Sequence, residues 1–173
     1  MTTPTPDAEK LLLVLTEQLR PALKPDTALV GIHTGGVWVA QRLHSLLDLQ
    51  VPLGTIDVAF YRDDYAHRGL NANVRPSDIS FDVAGREIVL VDDVLYTGRT
   101  IRAAMNEIFD YGRPGKVMLA ALVDRGGRQL PMSPQFLGAT LPVADDERIV
   151  LSRAGDGRLH LAIESRSQEG DGR

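Results

Sequence analysis

Apolar positions along this chain alternate between helical stripes and short unbroken runs, which predicts helices and strands in turn. Ala8–Leu19 is leucine-rich at helical spacing, and Pro21 and Pro25 end it. Ala28–Ile32 reads as a short strand. His33-Thr34-Gly35-Gly36 then reads as a turn into a second helix, with Val39, Ala40, Leu43, Leu46 and Leu47 on its inner side. Residues 54–61 set Ile56, Val58 and Phe60 against Thr55, Asp57 and Ala59, the period of a strand with unlike faces. Residues 62–80 are polar with little periodicity, and a loop of that length in a compact domain is usually functional or mobile. Ile88, Val89, Leu90 and Val91 form a buried strand, followed by a helix with Ile101, Ala104, Met105, Ile108 and Phe109 at i, i+3, i+4, i+7 and i+8. Residues 117–123 form another continuous apolar strand, and residues 149–151 with 159–163 a late hairpin around 154–157. Residues 1–6 are expected to be frayed, and the charged, glycine-bearing tail 165–173 disordered.

Strands alternating with helices imply an α/β fold, a mainly parallel twisted sheet with helices on both faces. At 173 residues the chain forms one domain, residues 1–164, with no internal repeat. Zero cysteines exclude a disulfide framework and a thiolate metal site. The lack of a signal peptide or of an apolar run long enough to span a bilayer predicts a cytoplasmic protein with no membrane partner. The net charge of −4 weighs against nucleic acid as the main partner unless basic residues cluster locally.

The chemistry concentrates after the strand 88–91. Asp92 and Asp93 stand at its carboxyl end, the edge of an open α/β sheet where ligands bind. The turn Tyr96-Thr97-Gly98-Arg99-Thr100 then opens the next helix. Its unpaired N–H groups and dipole favour an anion, Gly98 lets the chain pass close, and Thr97 and Thr100 add hydroxyls. A phosphate monoester fits that cradle. Two adjacent carboxylates would repel it unless they accept hydrogen bonds from sugar hydroxyls or meet a magnesium hydration shell, and a ribose 5-phosphate supplies both partners. The bland reading, a strand-turn-helix with solvated acids, leaves two mutually repelling neighbours without a purpose.

The string VLVDDVLYTGRT resembles the phosphoribosyl pyrophosphate (PRPP) motif of the type I phosphoribosyltransferases. Preceded by IDVAFYRDD and followed by YGRPGKVMLAALVDRGGRQLP, it resembles one branch in particular, the bifunctional pyrimidine-operon regulator and uracil phosphoribosyltransferase family, PyrR, over residues 29–164. The resemblance implies a PRPP-binding core with a small hood over the base, and formation of UMP and pyrophosphate from uracil and PRPP. It also implies magnesium bound with PRPP or pyrophosphate, a homodimer or homotetramer, and binding of a pyrimidine-operon leader mRNA.

Residue by residue, Asp92 and Asp93 would hold the ribose hydroxyls, and Tyr96, Thr97, Gly98, Arg99 and Thr100 the 5-phosphate. His33, Thr34, Gly35 and Gly36 take the place of the pyrophosphate loop. Relatives commonly carry Thr-Arg-Gly there, so a cationic contact is missing, and Gly35→Arg is expected to strengthen pyrophosphate binding; a plain glycine turn is the other reading. Arg62 would reach pyrophosphate from a loop that closes to exclude water, or it belongs to a solvated charge cluster. Asp124 would place magnesium, directly or through water, and Arg125 would contact pyrophosphate; otherwise they form a surface ion pair. Purine-salvage relatives carry an acid where this chain has Tyr96, which argues against a hypoxanthine or guanine enzyme and leaves a general base unassigned. The base is expected to be read by backbone groups in the hood around residues 136–143. An orotate enzyme would want a cation there, and residues 136–146 contain no Lys or Arg.

The competing reading is a catalytically weak, nucleotide-sensing RNA-binding regulator on the same scaffold. Arg20, Arg113, Lys116 and Arg128 are its candidate phosphate contacts, with Lys24, Arg102 and Arg153 as further cations, and each is equally a solvated surface residue. Where relatives show His-Arg after the LVDRG glycine, this chain has Gly127-Arg128.

Overall fold

The computed structural model describes residues 4–58 and 77–166. Five parallel strands form one sheet: β1 (Ala28–Ile32), β2 (Gly54–Ile56), β3 (Glu87–Leu95), β4 (Lys116–Asp124) and β5 (Phe136–Thr140), in the order β2-β1-β3-β4-β5. Three helices are described, α1 (Ala8–Leu19), α2 (Gly35–Leu46) and α3 (Arg99–Tyr111). A late antiparallel hairpin joins β6 (Glu147–Arg153) to β7 (Leu159–Ser165).

Both faces of the sheet are covered, which is why its strands read as continuous apolar runs rather than alternating ones. Leu29, Val89, Val91, Met118, Ala120 and Leu122 face α1, α2 and the hairpin in one core. Val30, Ile32, Ile88, Leu90, Leu119 and Ala121 turn the other way, toward α3. Up to Val91 in β3 and Leu122 in β4, the parity of a position along its strand decides its core.

The hydrophobic pattern located α1, β1, β3, β4 and the hairpin. Two residues assigned to inner faces are exposed instead. Leu46, the last residue of α2, lies beyond that helix's final buried residue, Leu43, and is 38% exposed. Phe109 is 53% exposed, because eight residues carry it about 80° round the helix from Ile101, to the edge of the buried stripe. The strand expected over residues 54–61 ends at Ile56, and its last three positions lie outside the described residues.

The segment expected to lie in the hood, residues 136–143, is mostly the edge strand β5. Only Leu141, Pro142 and Val143 emerge at the carboxyl end of the sheet. Gly138 hid this strand by interrupting its pattern, and a Cβ there would overlap the Leu122 carbonyl oxygen and stand 3.1 Å from Leu11 Cβ. The glycine is what lets α1 lie close on the sheet at this edge. Gln18 of α1 also satisfies the edge, donating to the Leu137 carbonyl (2.9 Å) and accepting from its N–H (3.0 Å).

One ionic cluster ties α1, α2 and the hairpin together. Glu9 accepts two hydrogen bonds from Arg42, both 2.7 Å, and one from the Leu159 N–H at 2.8 Å. The Arg42 hydrogen bonds hold the Glu9 carboxyl below the usual carboxylate range, helped by the Leu159 amide and against the opposing push of burial. A carboxyl depressed in the folded state stabilises above its unfolded pKa and loses that contribution as pH falls through its folded value. Glu9→Gln is therefore expected to lower unfolding free energy by about 1–3 kcal/mol at pH 7. Urea titrations should show the gap to the parent protein closing as the solution is acidified below the ordinary carboxylate range.

Candidate functional site

The order β2-β1-β3 sets the location. After β1 the chain crosses outward to β2, and it then returns to lay β3 on the opposite side of β1. The crevice beyond the carboxyl ends of β1 and β3 is thus a topological switch point, where α/β sheets receive ligands. Two helix-opening turns border it: residues 33–36 enter α2, and residues 96–98 enter α3.

Asp92 and Asp93 lie in the last part of β3, both against the turn that opens α2. Asp92 is 4% exposed and its Oδ1 accepts the Asp93 N–H at 2.9 Å. Asp93 is half-buried, and its Oδ1 accepts the Val94 N–H at 2.9 Å. The turn from β1 packs directly on this pair. A Cβ at Gly36 would stand 2.5 Å from the Val91 carbonyl oxygen and 3.2 Å from Asp92 Oδ1, and one at Gly35 would overlap the Asp93 carboxylate. Gly31 performs the same service beneath them, where a Cβ would stand 2.8 Å from Val37 Cα. His33 bonds through its N–H to the Ile56 carbonyl at 2.8 Å, and the His33–Thr34 peptide is cis.

Gly98, at φ +93°, is the N-cap of α3, a conformation that favours glycine, and it backs onto Met132 and Leu130. The buried Thr97 accepts the Arg99 N–H at its hydroxyl (3.2 Å). Its carbonyl takes the N–H groups of Gln129 and Leu130, at 2.9 and 3.0 Å, while Arg99 Nε donates to Gln129 Oε1 at 2.9 Å. The segment after β4 therefore holds the phosphate-type turn in place.

Sequence reasoning did not find how far that segment works as a brace. Arg128 donates to the Met132 carbonyl, to the Tyr96 carbonyl and to Asp124 Oδ2 (2.6 Å), so its guanidinium is spent inside the loop instead of standing ready for a nucleic acid phosphate. Asp124 Oδ1 accepts the Gly126 N–H at 2.9 Å, which engages both oxygens of the carboxylate expected near magnesium. Arg125, expected at pyrophosphate, is 7% exposed. It donates to the carbonyls of Glu147 (3.0 Å) and Ala144 (3.3 Å), with its guanidinium carbon 4.0 Å from the centroid of the Tyr96 ring. Gly127, at φ +78°, closes on the same ring, where a Cβ would stand 2.5 Å from Cε2. An aromatic at 96 beside two glycines and two arginines was the available signal for this packing. Arg62 lies outside the described residues.

Arg20, Lys24, Arg102, Arg113, Lys116 and Arg153 are exposed. Lys24 pairs with Glu87 at 3.0 Å, and Arg153 lies 5.0 Å from the centroid of the Trp38 ring. No described helix is long and apolar enough to cross a membrane.

A parallel sheet with two helix-opening turns and an acid pair at its switch point defines a phosphoribosyltransferase-type site, and the model of the phosphoribosyl transferase domain matches residues 8–146. The bifunctional protein PyrR of Pseudomonas savastanoi pv. phaseolicola is 50% identical over 163 residues, 92% of this chain and 94% of that protein. The PyrR protein of Nitrosococcus oceani is 52% identical over 152 residues, 87% of this chain and 85% of its own. The chain belongs to the PyrR family of phosphoribosyltransferase-domain proteins. Among solved structures, a hypoxanthine phosphoribosyltransferase from Staphylococcus aureus shares the fold, with a TM-score of 0.62 at 18% identity over 79% of this chain and 75% of that one. A purine phosphoribosyltransferase from Pyrococcus horikoshii gives 0.60 at 26% identity, over 78% and 82%.

Proposed function

We propose that this chain forms UMP and pyrophosphate from uracil and PRPP, and that it also serves in regulating pyrimidine-biosynthesis genes. The observation that carries the reading is the placement of the Asp92–Asp93 pair against one helix-opening turn and beside a second, at the switch point of a PyrR-family chain. One turn anchors the 5-phosphate of PRPP and the other its pyrophosphate, and the carboxylates between them accept hydrogen bonds from the ribose hydroxyls.

In this reading, the N–H groups opening α3, with Thr97 and Thr100, hold the 5-phosphate while Asp93 grips a ribose hydroxyl. As the bond from C1 to the pyrophosphate oxygen breaks, positive charge grows on the sugar, and the two carboxylates stabilise it electrostatically. Uracil, its N1 proton given up to solvent, attacks the opposite side of that carbon through N1 as pyrophosphate departs. Tyr96 shapes the floor of the site through its ring packing and contributes no carboxylate. Magnesium fits as an ion carried in by the substrate. No three described His, Cys, Asp or Glu residues gather to cage a metal by themselves, and the carboxylates that would hold it are Asp92, Asp93 and, directly or through water, Asp124. Bound there, it would neutralise charge on the leaving pyrophosphate. In the regulatory role, Arg20, Arg102, Arg113 and Lys116 are exposed cations that would serve as phosphate contacts for a leader mRNA.

The test is the rate of UMP formation from uracil, PRPP and magnesium by the purified protein, with orotate, hypoxanthine and guanine run beside it. Uracil-selective turnover is the expected result. Binding of UMP without turnover on any base would leave a nucleotide-sensing regulator, and its binding to a leader RNA should then fall steeply with salt.

A further inference from the structure

We infer that Gly35 is a positioning residue for the Asp93 carboxylate, so that a turn assigned to pyrophosphate also sets the grip on ribose. This rests on the reading of the site given above. The geometry behind it is a direct contact between segments on neighbouring strands. A Cβ at residue 35 would stand 2.6 Å from Asp93 Cγ and 3.1 Å from Asp93 Cβ, and would overlap Oδ2. Making room would turn the carboxylate out of its present place, where Oδ1 accepts the Val94 N–H at 2.9 Å and the backbone of β3 is paired with β4. The backbone at Gly35 is ordinary helical backbone, so the requirement for glycine comes from the space Asp93 fills and not from φ.

The glycine at 35 therefore has a steric meaning. In this chain the turn and the acid are a matched pair, and any side chain at 35 displaces the carboxylate before it can reach pyrophosphate. The expectation that Gly35→Arg would strengthen pyrophosphate binding is thereby reversed, and that variant should bind both pyrophosphate and UMP less tightly.

UMP is the discriminating probe, because it contains the ribose and the 5-phosphate but no pyrophosphate. Gly35→Ala is expected to weaken UMP binding about tenfold in calorimetric titrations. Gly155→Ala, whose Cβ would meet open space, should bind as the parent does. In the Asp93→Ala background, Gly35→Ala should cost no further UMP affinity, since the group it displaces is gone. Melting temperatures repeat the cycle without ligand: Gly35→Ala lowers the value, and adding Asp93→Ala recovers most of the loss. Unchanged UMP affinity in Gly35→Ala, or equal losses from Gly35→Ala in both backgrounds, would overturn the inference. Absence of UMP binding by the parent protein would instead overturn the functional reading, and the melting cycle would still decide the Gly35–Asp93 contact.

Discussion

Asp93→Asn is expected to lower the rate of UMP formation about a hundredfold or more while shifting the melting temperature by no more than about 3 °C. Asparagine keeps the oxygen that accepts the Val94 N–H and nearly the same volume against Gly35, so the local structure has little reason to change. What it loses is negative charge where a sugar cation develops, along with a charge-assisted acceptor for a ribose hydroxyl. Asp92 is the less informative target. It is almost fully buried and bonded to the next amide, so its removal mixes catalytic with structural loss. A parent-like rate in Asp93→Asn, measured at saturating uracil and PRPP, would remove the ribose assignment. A rate deficit cured by raising PRPP alone would recast Asp93 as a binding group with no part in the transition state.

Arg128→Met should unfold the protein more readily, by about 2–4 kcal/mol, and raise the KM for PRPP several-fold. The side chain joins three partners: the Tyr96 carbonyl in the turn that opens α3, the Met132 carbonyl, and Asp124. Methionine fills much of the volume and satisfies none of them, and the Asp124 carboxylate, 15% exposed, is left without its counter-ion. Lysine at 128 keeps the charge but lacks the planar fork that reaches three acceptors, so it should recover part of the stability and less of the PRPP affinity. Urea unfolding and initial-rate kinetics on both variants measure the two effects separately. If both variants matched the parent in stability while losing RNA binding, Arg128 would be a nucleic acid contact and the brace would be incidental.

These two positions also differ in how readable they were. The acid pair declared itself: an unbroken apolar strand running into Asp92-Asp93 and then a glycine–threonine turn admits few uses, and each part of that signal is local. The parity of Leu29 and Val30, or of Val89 and Leu90, likewise followed from the two-residue period of a strand. The arginines were not readable in this way. Arg125 and Arg128 were expected at phosphates because an unpartnered guanidinium in a sequence has no visible acceptor, whereas in the fold each finds carbonyls from distant segments. The strand β5 escaped because Gly138 breaks its apolar run, and that glycine is explained only by α1 lying across it.

The sequence by itself determined most of the strands and helices, and the acid pair followed by a glycine–threonine turn, because those features arise from residues within a few positions of one another. Only the tertiary structure decided which arginines are braces, why Tyr96 sits between Arg125 and Gly127, and why residue 35 is glycine. Each of those outcomes depends on which atoms the parallel register of β1, β3 and β4 brings within 4 Å, and contact distances between separate strands leave no periodic trace along the chain.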